Sequence, residues 1–200
     1  QADVHDSLGT LLAEAHRDAE AEAAFSAAIR LKPKFADAHF NLALLLCEGR
    51  RYQEALVALR HALDSDSRHA NALNCFGNIM SALGNQEKAE VAYRRALEIK
   101  PDSANIHNNL GNLWMENGRP AAAEGEFRRA FALENDYGYA LGQAVSCAQQ
   151  CHAWERFQAD SDAILAAIDR GIEGIPALMV QSLPDATPEQ LLKAGALNSL

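Results

Sequence analysis

Counted from Ala2, apolar residues return to the same places every 34 residues. The seventh and eighth places of each repeat read Leu8-Gly9, Leu42-Ala43, Phe76-Gly77 and Leu110-Gly111, and the eleventh reads Leu12, Leu46, Met80 and Trp114. Positions three and four apart share one face of a helix, so each set predicts a first helix with a buried seam. The twentieth place is Ala21, Ala55, Ala89 and Ala123, the twenty-fourth Phe25, Leu59, Tyr93 and Phe127, and the twenty-seventh Ala28, Ala62, Ala96 and Ala130. That small-large-small spacing predicts a second helix whose alanines allow close approach to the first. The frame runs without insertion or deletion to Tyr137, giving repeats at 2–35, 36–69, 70–103 and 104–137.

The polar punctuation agrees with this division. Gly84 and Gly118 stand where a first helix would end on a left-handed residue. His16 takes that place in the first repeat, and Gly49 stands one place early in the second. Pro33 and Pro101 end second helices because proline cannot continue them; Ser67 and Asn135 replace proline in the other two repeats. After Tyr137 the pattern weakens. Residues 138–171 keep the length of a helix pair, with Trp154 and Phe157 as anchors, but lose most of the small residues, as a degenerate fifth repeat or capping pair would. Gly171 to Pro176 interrupts the pattern, and Ala177 to Leu183 reads as a short apolar helix or turn. Thr187-Pro188-Glu189-Gln190 is a capping box that opens a last helix. Residues 172–200 are therefore expected to form a linker and the start of a following domain.

Composition narrows the class. Hydrophobic residues make up 48% and charged residues 22%, with only 12 glycines and 6 prolines. Ala and Leu dominate and β-branched runs are few, so the expected fold is all-α. The net charge of -9 gives no basic patch for a phosphate backbone, which argues against nucleic acid as a partner. Even an apolar run such as Leu42 to Cys47, which none exceeds, is far short of the ~20 residues of a membrane span, and no signal peptide is visible. No membrane partner is expected, and a cytoplasmic location is. Cys47, Cys75, Cys147 and Cys151 fall on predicted helices at spacings that match no disulfide scaffold, which favours reduced thiols.

Candidate chemistry is sparse. The chain has no glycine-rich phosphate loop, no GxSxG and no HExxH, so no catalytic residue and no cofactor are expected. His5, His39 and His107 share the fourth place of their repeats and stand a repeat apart, too far to converge on one metal ion; packing is their expected role. Cys147, Cys151 and His152 are closer together but lack a fourth ligand. Amides are what stand out. Asn105, Asn108, Asn109 and Asn112 lie on one face of the fourth first helix, Asn71, Asn74 and Asn78 recur in the third, and Asn41 stands in the second. Asparagine competes with the backbone and disfavours helix interiors, while its side chain offers both a donor and an acceptor. A column of amides can therefore pair with the main chain of an extended polypeptide; the bland alternative is that the amides bond one another and water. None of the second, fifth, sixth and ninth places carries Lys or Arg, which argues against a clamp for acidic tails.

The 34-residue period with this signature resembles the tetratricopeptide repeat. The resemblance implies a right-handed superhelix, an α-α solenoid with a concave face lined by first helices, that binds protein or peptide segments. A narrower resemblance lies at Cys151-His-Ala-Trp154 and Leu183-Pro-Asp-Ala-Thr-Pro-Glu-Gln-Leu-Leu192. These look like the junction between repeats and catalytic region in protein O-GlcNAc transferases and the related SPINDLY-type and bacterial proteins. That family carries an asparagine just before the Leu-Gly pair of each repeat; Asn41 and Asn109 match, whereas Ser7 and Cys75 depart. It implies a region that presents acceptor proteins to a glycosyltransferase, using a nucleotide sugar such as UDP-GlcNAc, whose domain would follow Leu200. The alternative is a stand-alone scaffold or adaptor without enzymatic activity. The outer face could in either case pair two copies as a homodimer.

Overall fold

The computed structural model describes residues 1–134, 138–152, 154–181, 183 and 185–197. Asn135, Tyr137, the side chain of Trp154 and Leu200, all singled out above, lie outside the described residues. The fold is all-α, and among the described residues there is no strand. The chain forms two compact halves, Gln1–Pro101 and Asp102–Leu200.

The N-terminal half holds α1 (Ala2–Glu14), α2 (Asp18–Leu31), α3 (Ala36–Glu48), α4 (Tyr52–Ser65), α5 (Ala70–Ala82) and α6 (Gln86–Ile99). Consecutive helices pack as pairs, α1 on α2, α3 on α4 and α5 on α6. Each pair closes on the small-large seam. A Cβ added to Gly9 would lie 2.5 Å from the ring of Phe25, and one added to Gly77 would lie 2.5 Å from the ring of Tyr93. In the second repeat the eighth place is Ala43 and its partner place holds Leu59, both fully buried. An aromatic ring requires glycine opposite it, and the slimmer leucine leaves room for one methyl group. Burying Phe25 or Leu59 contributes about 1.5–3 kcal/mol each, so the pair contact outweighs the ~1 kcal/mol that glycine costs inside a helix.

The turns between paired helices share one hydrogen-bond pattern. In the third repeat the Gly84 amide donates to Ser81 O at 2.8 Å and the Asn85 amide to Met80 O at 2.8 Å, the Schellman arrangement. Gly84 has φ 74° and His16 φ 55°, as the sequence predicts. The second repeat differs. Gly49 has φ -74°, and Arg50, at φ 56°, is the left-handed residue. The amides of Arg50 and Arg51 donate to Cys47 O and Leu46 O at 2.9 and 2.8 Å. The hydrogen-bond frame fixes the left-handed site at one place in the repeat, and glycine one residue earlier does not move it.

The C-terminal half holds α7 (Ala104–Glu116), α8 (Pro120–Leu133), α9 (Gly138–Gln150), a 3₁₀ turn at Trp154–Arg156, α10 (Phe157–Asp169), α11 (Ala177–Gln181) and α12 (Pro188–Leu197). Here α7 pairs with α8 and α8 packs on α9. Gly118, at φ 65°, makes the left-handed turn after α7. The segment beyond α10 folds back: Ile175, Val180, Leu183 and Ala194 share one core with Leu141, Val145, Ile164 and Ile168, and Phe157 packs against it. The capping box forms as read, the Thr187 amide donating to Gln190 Oε1 at 3.0 Å and the Gln190 amide to Thr187 Oγ1 at 3.2 Å.

Candidate peptide-binding faces

In the N-terminal half, α1 packs against α3 and α3 against α5, so the first helices form a closely spaced row. The eighth places turn toward the second helices, Gly9 onto Phe25 and Gly77 onto Tyr93, while the expected buried seam fails at the seventh place of the first repeat, where Leu8 is 45% exposed. The second, fifth, sixth and ninth places lie along the row. Asn41 Nδ2 donates to Asp6 Oδ1 of the neighbouring first helix at 3.0 Å. Burial raises the pKa of the Asp6 carboxyl above its ordinary value, against the opposing effect of the Asn41 hydrogen bond, and the charges of Asp37 and Asp3 add to the rise. Asn78 Oδ1 accepts from the Tyr93 hydroxyl at 2.8 Å. Asn71 is exposed and Asn74 half-buried. A cleft of about 310 Å³ opens beside Asn41, lined by Thr10, Ala13, Leu44 and Glu48 among others. Leu44 is 43% exposed, an apolar contact beside polar ones.

His69 organises the next position along the row. Its Nδ1 accepts from the Ala72 amide at 3.1 Å, capping α5. Nε2 is therefore the protonated nitrogen, and it donates to Asp37 Oδ1 at 3.1 Å. The ring also packs at a tilt of 43° against Phe40, with centroids 4.9 Å apart.

In the C-terminal half the four asparagines of α7 differ in environment. Asn105 is exposed, while Asn109 and Asn112 are half-buried. Asn112 Oδ1 accepts from the Tyr139 hydroxyl of α9 at 3.3 Å. Asn108 is only 6% exposed, and its Oδ1 is buried without a hydrogen-bond partner. The shared stripe on one helix is thus graded from open to buried, which the spacing alone did not reveal.

The fourth-place histidines are held by packing and local bonds. His39 Nε2 donates to Pro33 O at 3.0 Å, and His107 Nδ1 is hydrogen-bonded to Glu126 Oε2 at 2.5 Å. His5 is half-buried. Among the described residues, no group of three or more His, Cys, Asp or Glu is arranged to hold a metal ion, and no helix is long and apolar enough to cross a membrane. Burial pushes the Cys147 thiol up to about 11, and its sulfur lies 3.1 Å from that of Met115. The four cysteines are free thiols.

Sequence reading missed the groups that hold the asparagines, Asp6, Tyr93 and Tyr139, and His69, which holds Asp37. Tyr93 carried a signal, being the one hydroxyl-bearing residue among Phe25, Leu59, Tyr93 and Phe127. The others act across repeats, where a single-helix pattern is silent.

These helix pairs belong to a known class of protein-interaction scaffold. A tetratricopeptide-repeat family model matches residues 7–73 and a TPR-repeat model matches residues 77–118, so the chain contains a tetratricopeptide-repeat region. Among solved structures, the chain is similar to pilF of Pseudomonas aeruginosa, with 19% identity, 98% of this chain and 88% of that one covered, and a TM-score of 0.77. It is similar to TTC0263, a thermophilic TPR protein of Thermus thermophilus, at 18% identity over 100% of both chains with a TM-score of 0.68. YrrB, described as a TPR protein with an unusual peptide-binding site, matches at 17% identity, covering 98% of this chain and 93% of its own, with a TM-score of 0.62. At these identities the likeness is one of fold. No curated protein matches the sequence.

Proposed function

We propose that the chain binds extended polypeptide segments through the amide-bearing faces of its first helices. The observation that carries this reading is Asn108, whose Oδ1 is buried without a partner on a helix face that also bears Asn105, Asn109 and Asn112. An unsatisfied buried acceptor costs about 1–3 kcal/mol; a main-chain N–H from a bound segment would reach it after a local shift of the side chain, and the exposed Asn105 is the amide on this face directly open to such a segment. The pattern of Asn41, Asn71, Asn74 and Asn78 on the first helices of the N-terminal half supports the same use of amides, as does the cleft beside Asn41. Amides read the main chain rather than side chains, so selectivity would be broad. The described peptide site of YrrB is a precedent within the fold. The repeats would run at 2–35, 36–69, 70–103 and 104–137, followed by a capping pair at 138–171 and a terminal segment at 172–200. A cytoplasmic location fits the reduced thiols.

The test is fluorescence anisotropy with a labelled library of extended peptides, using the wild type and the quadruple variant Asn105→Ala, Asn108→Ala, Asn109→Ala, Asn112→Ala. Affinity is expected to fall at least about tenfold, the loss of one to two net hydrogen bonds. Melting temperature should stay the same or rise, because alanine favours helix. Unchanged binding would remove the proposal, as would a loss that tracks unfolding.

A finer form of the reading makes this region the acceptor-recognition part of a protein O-linked glycosyltransferase of the UDP-GlcNAc type. It rests on the resemblance of the Cys147–Gly195 stretch. Sequence beyond Leu200 that continues into α/β patterns with a glycine-rich sugar-nucleotide loop would support it. A stop or further repeats would leave the scaffold reading in its place, in which the same faces assemble protein complexes, or pair two copies as a homodimer, without catalysis.

A further inference from the structure

We propose that Cys47 and Cys75 form a reversible dithiol–disulfide site that joins the first helices α3 and α5, with a low-molecular-weight disulfide as the oxidant. Their sulfurs lie 3.6 Å apart although the residues are 28 positions apart in sequence. The two helices that carry them pack directly on one another, and a bond of about 2.05 Å would draw the sulfurs together from 3.6 Å. The two thiols differ in access: Cys47 is half-buried, while Cys75 is 6% exposed. That asymmetry sorts their roles, the accessible sulfur attacking and the buried one resolving.

The hydrogen bond between them points the same way. The two sulfurs are within hydrogen-bonding distance, and their contact favours the Cys47 thiolate and lowers its pKa. The same bond, with burial, raises that of Cys75. In the first step the Cys47 thiolate attacks one sulfur of oxidised glutathione, forms a mixed disulfide and expels one glutathione thiolate. Cys75 then gives up its proton to water, its sulfur attacks the Cys47 sulfur, and the second glutathione thiolate leaves. Two protein thiols are oxidised and one small disulfide is reduced to two thiols. Cys147, fully buried and with its thiol pushed up to about 11, is a built-in unreactive control.

The experiment incubates the purified chain with oxidised glutathione at pH 8 without denaturant, blocks free thiols with N-ethylmaleimide after unfolding in acid, and maps peptides by mass spectrometry. The expected product is a Cys47–Cys75 cross-linked peptide, two hydrogens lighter than its parts, that dithiothreitol returns to alkylatable thiols, with Cys147 alkylated throughout. In Cys75→Ser the mixed disulfide at Cys47 should persist, because the resolving sulfur is gone; circular dichroism checks that this variant is folded. Wild-type chain that ends with both thiols alkylated, or with glutathione retained on Cys47, overturns the proposal. The wild-type arm decides the matter even where the variant does not fold.

Discussion

At the eighth and twenty-fourth places a single methyl group decides what its partner can be. Gly111 faces Phe127, and a Cβ there would lie 2.8 Å from the ring; Ala43 faces Leu59 in the second repeat. Gly111→Ala should therefore cost up to about 2 kcal/mol, overpacking of roughly 1–3 kcal/mol less the ~1 kcal/mol gained in helix propensity. Adding Phe127→Leu should recover part of that loss, and a double-mutant cycle in urea measures the coupling. Asp6 offers a second check. Its carboxyl pKa is raised in the folded chain, chiefly by burial. An acid whose folded pKa exceeds its unfolded value binds its proton more readily when folded. It costs stability above the folded pKa and returns it as pH falls toward the unfolded value. Asp6→Asn, which keeps an oxygen to accept from Asn41, should thus raise the melting temperature slightly at pH 7 and lose that advantage at pH 4, as followed by thermal melts at both values.

Helix ends show the same logic one level up. The Schellman bonds after α3 require a left-handed residue at position 50, and arginine sits there at φ 56°. A side chain in that conformation costs roughly 1–2 kcal/mol, while glycine loosens the unfolded chain by about 0.4–1 kcal/mol. Arg50→Gly should therefore stabilise the protein by about 0.5–1 kcal/mol in chemical denaturation. The same change at Gly49→Ala should be mild or favourable, because Gly49 has ordinary φ. Helix identity, the turns at Gly84 and Gly118 and the capping box at Thr187 were all legible in the sequence, since each depends on residues within a few positions of one another. The place of the left-handed residue in the second repeat was not. The bond frame from Leu46 to Arg51 sets it, and the visible glycine was one residue off that frame.

In the C-terminal half as a whole, an ion pair does what the repeat pattern no longer does. Arg128 of α8 donates two bonds of 2.9 Å to Asp160 of α10 and one of 2.8 Å to Glu124, and Asp160 is 5% exposed. Asp160→Ala leaves Arg128 without its buried partner and should cost about 3 kcal/mol. Hydrogen exchange should show the loss in α10 and in the residues that share its core, α11 and α12. Arg128→Met with Asp160→Leu should restore much of it, because paired apolar replacements of buried ions are often neutral or better. Equal exchange in the wild type and Asp160→Ala would show that the core alone fixes α10.

The sequence by itself determined the all-helical fold, the 34-residue pairing of helices and the face on which the asparagines lie, because these follow from periods of 3.6 and 34 written into one chain. Tertiary structure alone decided how each amide is used. Asn41 is spent on Asp6, Asn78 and Asn112 accept from tyrosine hydroxyls, and Asn108 is buried with an acceptor unfilled. It also brought Cys47 to Cys75 and Arg128 to Asp160. Such pairings depend on distances between helices far apart in sequence, and a one-dimensional pattern carries the direction of a side chain but not what waits opposite it.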